Sequence, residues 1–377
     1  MDMKKVKILL VAMMVLPVVF WSCKKKQDEI KIGVIMSLTG AASDPGKKVL
    51  QGVELAFLMY NDTAKVKMKL IVEDSKSNNK DGVSAMNKLI STDKVKIVIG
   101  DLMSSVFLSC APIAERNKVV MMSPGASNPA IREAGDYIFS NYLLDDFDGK
   151  VMANYVYKVM DKKNVVVLTV NSDYGIGVHK AFVDNFTNLG GTILLEERYE
   201  QGQIAFRNSL IKIKNLKPDV VYIAGYAAEL GNIVKQMKEY NTIYPIAGNV
   251  SFGNDEFINI AKNSFDSIIF STPYYNPQSK EAHVVYFVKE YEKRYFVQPD
   301  IAVAYGYDAA NIFIKSILDT NYNLDRVKDN LYTIADYNGV TGKTTFESDG
   351  SVLKDIYIKQ LYGDGRVKII EQYFIER

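Results

Sequence analysis

The chain has 377 residues, 46 of them basic and 44 acidic, with 48% hydrophobic residues and two cysteines. A nearly balanced charge without basic tracts argues against nucleic acid as a partner, and this much apolar material can fill two cores. Without residues 1–22, which hold three lysines and Asp2, the balance is 43 basic against 43 acidic.

At the N-terminus, Lys4, Lys5 and Lys7 precede an apolar run from Ile8 to Trp21 that ends at Ser22-Cys23. An apolar run of about 14 residues is too short for a membrane span of about 20 and reads as an export signal. A cysteine directly after the small residue makes it a lipoprotein signal, with Cys23 the lipidated residue and 23–29 a polar tether. The mature protein is then expected in the cell envelope, held by its lipid and otherwise soluble. Lipidation of Cys23 leaves Cys110 with no partner for an intrachain disulfide. Beyond the tether, strand-like runs alternate with amphipathic helices. A strand over Ile30–Met36 precedes a helix over Lys47–Tyr60. Strands follow at Lys69–Glu73, Val95–Gly100 and Val119–Ser123, separated by helices. A fresh set begins at Val165–Val170 and runs through Thr192–Glu196, Val220–Ala224, Tyr244–Gly248 and Ile268–Thr272. Asp355–Leu361 and Val367–Phe374 close the chain as a hairpin around Gly363-Asp364-Gly365. This alternation predicts an α/β fold with covered parallel sheets, in one long doubly wound unit or two consecutive ones.

Two of these strands end in clusters of small hydroxyl residues: Ser104-Ser105 after the first, and Ser123, Gly125 and Ser127 after the second. In open parallel sheets ligands sit beyond the carboxyl ends of the strands. Hydroxyls and the unpaired amides of a helix N-terminus form a neutral cradle for a small carboxylate. Each residue also has a plainer role. One of Ser104 and Ser105 is expected to cap its helix, Ser127 can be a turn residue before Asn128-Pro129, and Gly125 can serve either a turn or a close approach. Tyr174, in a strand-to-helix turn, and Tyr226, after the strand Val220–Ala224, are placed to reach the same region and offer an apolar face with a hydroxyl. No nucleophile stands beside its own base. His179 and His283 lie in separate segments and suggest neither a triad nor a metal cluster. The chain lacks a Gly-x-Ser-x-Gly elbow, a dinucleotide Gly-x-Gly-x-x-Gly and an ATP-binding Gly-x-x-x-x-Gly-Lys-Ser/Thr loop. The pattern points to a site that holds a molecule without changing it, with no cofactor or metal.

The same stretches carry a resemblance. Ile97–Ser105 followed by Ser123-Pro-Gly-Ala-Ser-Asn-Pro129 is similar to the first lobe of type 1 periplasmic binding proteins, in the leucine/isoleucine/valine-binding group of ABC-transporter receptors. Ile32–Gly40 resembles the family's opening strand, Leu144-Asp145 to Gly149 its Asp-x-x-x-Gly crossover, Asp173–Gly177 and Gly225–Glu229 its second-lobe contacts, and Ala304–Ala309 its returning helix. The resemblance implies two Rossmann-like lobes joined by three crossovers, near 142–148, 272–276 and 335–340. Lobe 1 would hold 30–144 plus 275–336 and lobe 2 145–274 plus 337–377, with the ligand in a cleft closed by hinge motion. It implies a monomer that delivers a small amino acid, or a related carboxylate or amide, to an ABC permease with separate ATPase subunits. A sensing or regulatory lipoprotein of the same fold, such as a signalling receptor's partner or a cell-wall synthesis activator, is the alternative. One departure bears on the ligand: the family's usual ammonium-binding Glu falls near Val250, with Asp255 a few residues on, so Asp145 is the remaining candidate anion. Asp44-Pro45-Gly46 also stands where many members carry an aromatic residue.

Overall fold

The computed structural model describes residues 29–373; the expected signal peptide 1–22, the expected tether up to residue 28 and the lipidation candidate Cys23 lie outside the described residues. The described residues form two α/β units. The first has a parallel sheet of β1 (Ile30–Met36), β2 (Met68–Asp74), β3 (Ile97–Ile99), β4 (Val120–Ser123) and β5 (Ile138–Ser140), in the order β2-β1-β3-β4-β5. The second has β6 (Asn164–Val170), β7 (Thr192–Tyr199), β8 (Val220–Ala224), β9 (Ile246–Gly248) and β10 (Ser267–Pro273) in parallel, in the order β7-β6-β8-β9-β10. The two orders are the same winding repeated. The second sheet is extended by the antiparallel strands β13 (Ile356–Tyr362) and β14 (Val367–Tyr373), and a small separate hairpin pairs β11 (Tyr337–Gly339) with β12 (Gly342–Thr344).

The central strands are fully buried, as in Val220–Ala224, because helices cover both faces of each sheet. The first unit carries α1 (Ser43–Thr63), α2 (Asn79–Ser91) and α3 (Ser104–Arg116). The second carries α4 (Asp145–Asn154), α5 (Asp173–Asn188), α6 (Arg207–Leu216), α7 (Ala227–Glu239) and α8 (Asp255–Ala261). Then α9 (Ala282–Tyr295) and α10 (Ile301–Asp319) return to the first unit. There α1 and α10 meet backbone to backbone. A Cβ on Gly52 would lie 2.0 Å from the Val303 carbonyl, and one on Gly306 2.2 Å from that of Val49.

The chain passes between the units three times. The first passage follows β5, and α4 begins at Asp145, inside the stretch that the sequence reading treated as a connection. Its acidic residues Asp145, Asp146 and Asp148 occupy the first helical turn, where the macrodipole favours them. The second passage follows Pro273. The third lies between Val352, packed in the first core, and Ile356, packed in the second. The sequence reading placed it near 335–340. The reason for the difference is local: Phe346 bridges Val352, and both pack with Phe139 and the α10 face. We accordingly propose to extend lobe 1 to residue 352. The short strand β5 and the hairpin β11–β12 lie outside the runs read from the sequence; Tyr337–Gly339 and Gly342–Thr344 carry no apolar run.

Candidate functional site

In each sheet the winding reverses beside the first strand of its unit, between β1 and β3 and between β6 and β8. Ligands bind at such switch points, outside the carboxyl ends of the strands. The loops after those strands enclose one cavity of about 130 Å³. From the first unit come Ala42, Pro45 and Val49, then Leu102–Ser104, then Pro124, Gly125 and Ser127. From the second come Tyr174, Tyr226, Val250 and Glu256, with Tyr142, Asp145, Asp148, Ile301 and Tyr305 completing the wall. Ser104, Gly125, Ser127, Asp145, Tyr174 and Tyr226 all line it; Ser105 does not.

The two adjacent serines have different work. Neither is the N-cap of α3: that place is Met103, which has no side-chain cap, and Met103 N instead donates to Asp101 Oδ1 at 2.8 Å. Ser104 Oγ accepts from the amides of Ser127 and Asn128, both at 3.2 Å, which leaves its own proton free to donate. Ser105 is rotated off that face, since neighbouring helical residues do not share one. Its Oγ accepts from Asp173 N at 3.1 Å, at the start of α5 in the second unit. Asn128 Nδ2 donates to the Asp173 carbonyl beside it. These bonds fasten the two units directly across the mouth. Gly125 matters for space: a Cβ there would come 2.8 Å from Cβ of Leu102. Ser123 builds the loop, donating to the Asp101 carbonyl and accepting from Ala126 N at 2.7 Å each.

The acidic end is less symmetrical. Asp145 is buried, its backbone N donates to the Ser127 carbonyl at 2.7 Å, and its Oδ2 has no partner. Burial pushes its carboxyl well above the ordinary range, opposed by the nearby Ser127 hydroxyl, with Asp148 and Asp146 adding repulsion. Asp148 is pushed up to about 6 by burial, opposed by the nearby Ser271 hydroxyl, and its Oδ1 has no partner. Asp146, between them, is held by a two-pronged pair with Arg132, at 2.9 and 3.2 Å. No Lys, Arg or His is among the described residues lining the cavity.

Tyr174 lies against Tyr226, with ring centroids 5.9 Å apart, and its hydroxyl accepts from Asn249 Nδ2. The Tyr226 and Tyr305 hydroxyls are buried without a hydrogen-bond partner, and burial holds both well above the usual phenol range. Glu229 stays out of the cavity and accepts from Gly202 N at 2.7 Å. Where the sequence reading noted Asp255, the residue that lines the cavity is Glu256; Asp255 is exposed, 3.6 Å from Lys48. Asp148 was missed as well. Its spacing of three from Asp145 would have revealed it, had the acidic run been recognised as a first helical turn. Cys110 is free and buried, its thiol pushed up to about 12 by desolvation.

Residues 29–366 match the model of the periplasmic binding protein family. A Leu/Ile/Val-binding protein of Rhizobium johnstonii is 30% identical over 264 residues, which is 67% of this chain and 71% of that one. Among solved structures, a leucine-binding protein of Thermotoga maritima superposes with a TM-score of 0.85 at 27% identity, covering 91% of this chain and 98% of that one. A branched-chain amino acid transporter substrate-binding protein of Streptococcus pneumoniae, solved with isoleucine, gives 0.83 at 27% identity, with 91% and 99% covered. Twin windings that face each other over one cavity agree with this match along nearly the whole described chain, and the chain belongs to the periplasmic binding protein family.

Proposed function

We propose that this protein is the substrate-capturing lipoprotein of an ABC importer, and that its ligand is a small α-amino acid with an aliphatic side chain. The observation that carries this reading is the make-up of the cavity. Its lining combines the apolar Ala42, Pro45, Val49, Leu102, Ile301 and Val250 with acids, Glu256, Asp148 and the buried carboxylate of Asp145, whose Oδ2 has no partner. A zwitterion with an aliphatic tail satisfies both. Its carboxylate meets the free proton of Ser104 and the open first turn of α3, and its ammonium meets Asp145. A plain organic acid would leave that buried carboxylate uncompensated, which is costly. The relatives named as binding leucine, isoleucine and valine support the same class. Closure of the two lobes is fastened by the Ser105 and Asn128 bonds to Asp173, and the closed form is the one presented to a membrane permease. Cys23, beyond the described residues, carries the anchor at the cell envelope.

The test is a thermal-shift screen of amino acids, their des-amino acids and simple amides on protein stripped of ligand by unfolding and refolding. Stabilisation by aliphatic amino acids is expected. Strong stabilisation by organic acids or amides, with none by any amino acid, would overturn the reading.

A further inference from the structure

The cleft presents a second acid that a single ammonium-binding Asp does not require. Asp145 and Asp148 stand three residues apart in the first turn of α4, a spacing that puts both on one helix face, and both line the cavity. Each keeps one buried oxygen with no hydrogen-bond partner. Arg132, from the helical turn at 129–133, is already used: it takes Asp146 and also lies 3.3 Å from Asp349. Beyond β9 the lining offers Val250, Ser251 and Asn254 and a third acid, Glu256, which belongs to α8.

We propose that Asp148 is a specificity-determining residue, which clamps the ligand's ammonium together with Asp145. The proposal rests on the amino-acid reading above. An ammonium has three N–H donors and no acceptor. The acidic end offers three unpartnered buried oxygens to meet them: Asp145 Oδ2, Asp148 Oδ1 and Tyr226 Oη. Two carboxylates on one cation also set the preference of the site. A ligand that lacks the amine leaves both acids unpaired, so the amino acid should bind far better than its des-amino analogue.

The experiment compares leucine with 4-methylpentanoate by calorimetric titration against the wild-type full chain and Asp148→Asn. In the wild type leucine binds and its analogue binds much more weakly. In Asp148→Asn the advantage of leucine should shrink on the order of tenfold to a hundredfold, the scale of one charge-assisted hydrogen bond. Asp148→Glu, which keeps the charge, should retain more of that advantage, and Asp148→Ser serves the same comparison if the amide variant does not fold. If Asp148 only positions the passage between the units, both ligands weaken by the same factor; that result, or an unchanged advantage, overturns the proposal. Failure of the wild type to bind any amino acid would instead overturn the function on which it rests.

Discussion

Replacing Asp145 with asparagine should move stability and affinity in opposite directions. Asp145 is 3% exposed, and its Oδ2 has no hydrogen-bond partner. Asp148 and Asp146 repel its charge, and the one nearby guanidinium, that of Arg132, pairs with Asp146. An unpartnered buried polar atom costs about 1–3 kcal/mol, and more when it is charged. Asparagine has nearly the same shape and can donate its Nδ2 towards the free oxygen of Asp148. The ligand-free variant should therefore be more stable by about 1–3 kcal/mol, a rise of a few degrees in Tm for a domain of this size. For an amino acid the sign reverses. Its ammonium loses a charge-assisted hydrogen bond worth about 1.5–3 kcal/mol, roughly a tenfold to hundredfold loss of affinity. Differential scanning calorimetry of ligand-free protein and isothermal titration with leucine read the two terms separately. A lower Tm for the empty variant would show that the carboxylate is not an unpaired burden. Unchanged affinity would remove Asp145 from the ammonium site.

Ser105→Ala removes a neutral bond between the units without touching the cavity, so every ligand should weaken by the same factor of a few, about 1 kcal/mol; a loss confined to one ligand class in parallel titrations would contradict this. The carboxyl of Asp101, fully buried with Ser37 and Ser75, is pushed up to about 6 by burial. A raised acid stabilises the fold below its unfolded value near 4 and that contribution is lost as pH rises towards 6, so unfolding free energy should fall by about 3 kcal/mol over that interval on this account. Denaturant titrations at several pH values should find this component missing in Asp101→Asn, and an identical pH profile in the variant would refute the assignment. Cys23→Ser should shift the protein from the membrane fraction to the soluble exported fraction, and unchanged detergent-phase partitioning would rule out the lipid anchor.

Much of the architecture can be read from the chain because a strand covered on both faces must be apolar along its length. The runs at Ile30–Met36, Val165–Val170 and Val220–Ala224 could be placed for that reason. Tyr174 and Tyr226 could be placed near the cleft because each follows such a strand, and strand ends are where parallel sheets keep their loops. The roles of neighbouring residues were not legible, because they depend on direction rather than spacing. Ser104 and Ser105 differ by one helical step, yet one braces the loop at 127–128 and the other reaches the second unit. The acids at 145, 146 and 148 look alike in sequence. Only the position of Arg132, brought in from the turn between β4 and β5, decides that Asp146 is paired while its neighbours keep unpartnered oxygens. Strand order is likewise a long-range outcome: the windings β2-β1-β3-β4-β5 and β7-β6-β8-β9-β10 place the cavity at two facing switch points, and packing between distant segments sets both. Local pattern determines what each segment becomes, because it follows from burial and backbone preference. The pairing of buried charges follows from which distant segments meet, and only the tertiary structure decides that.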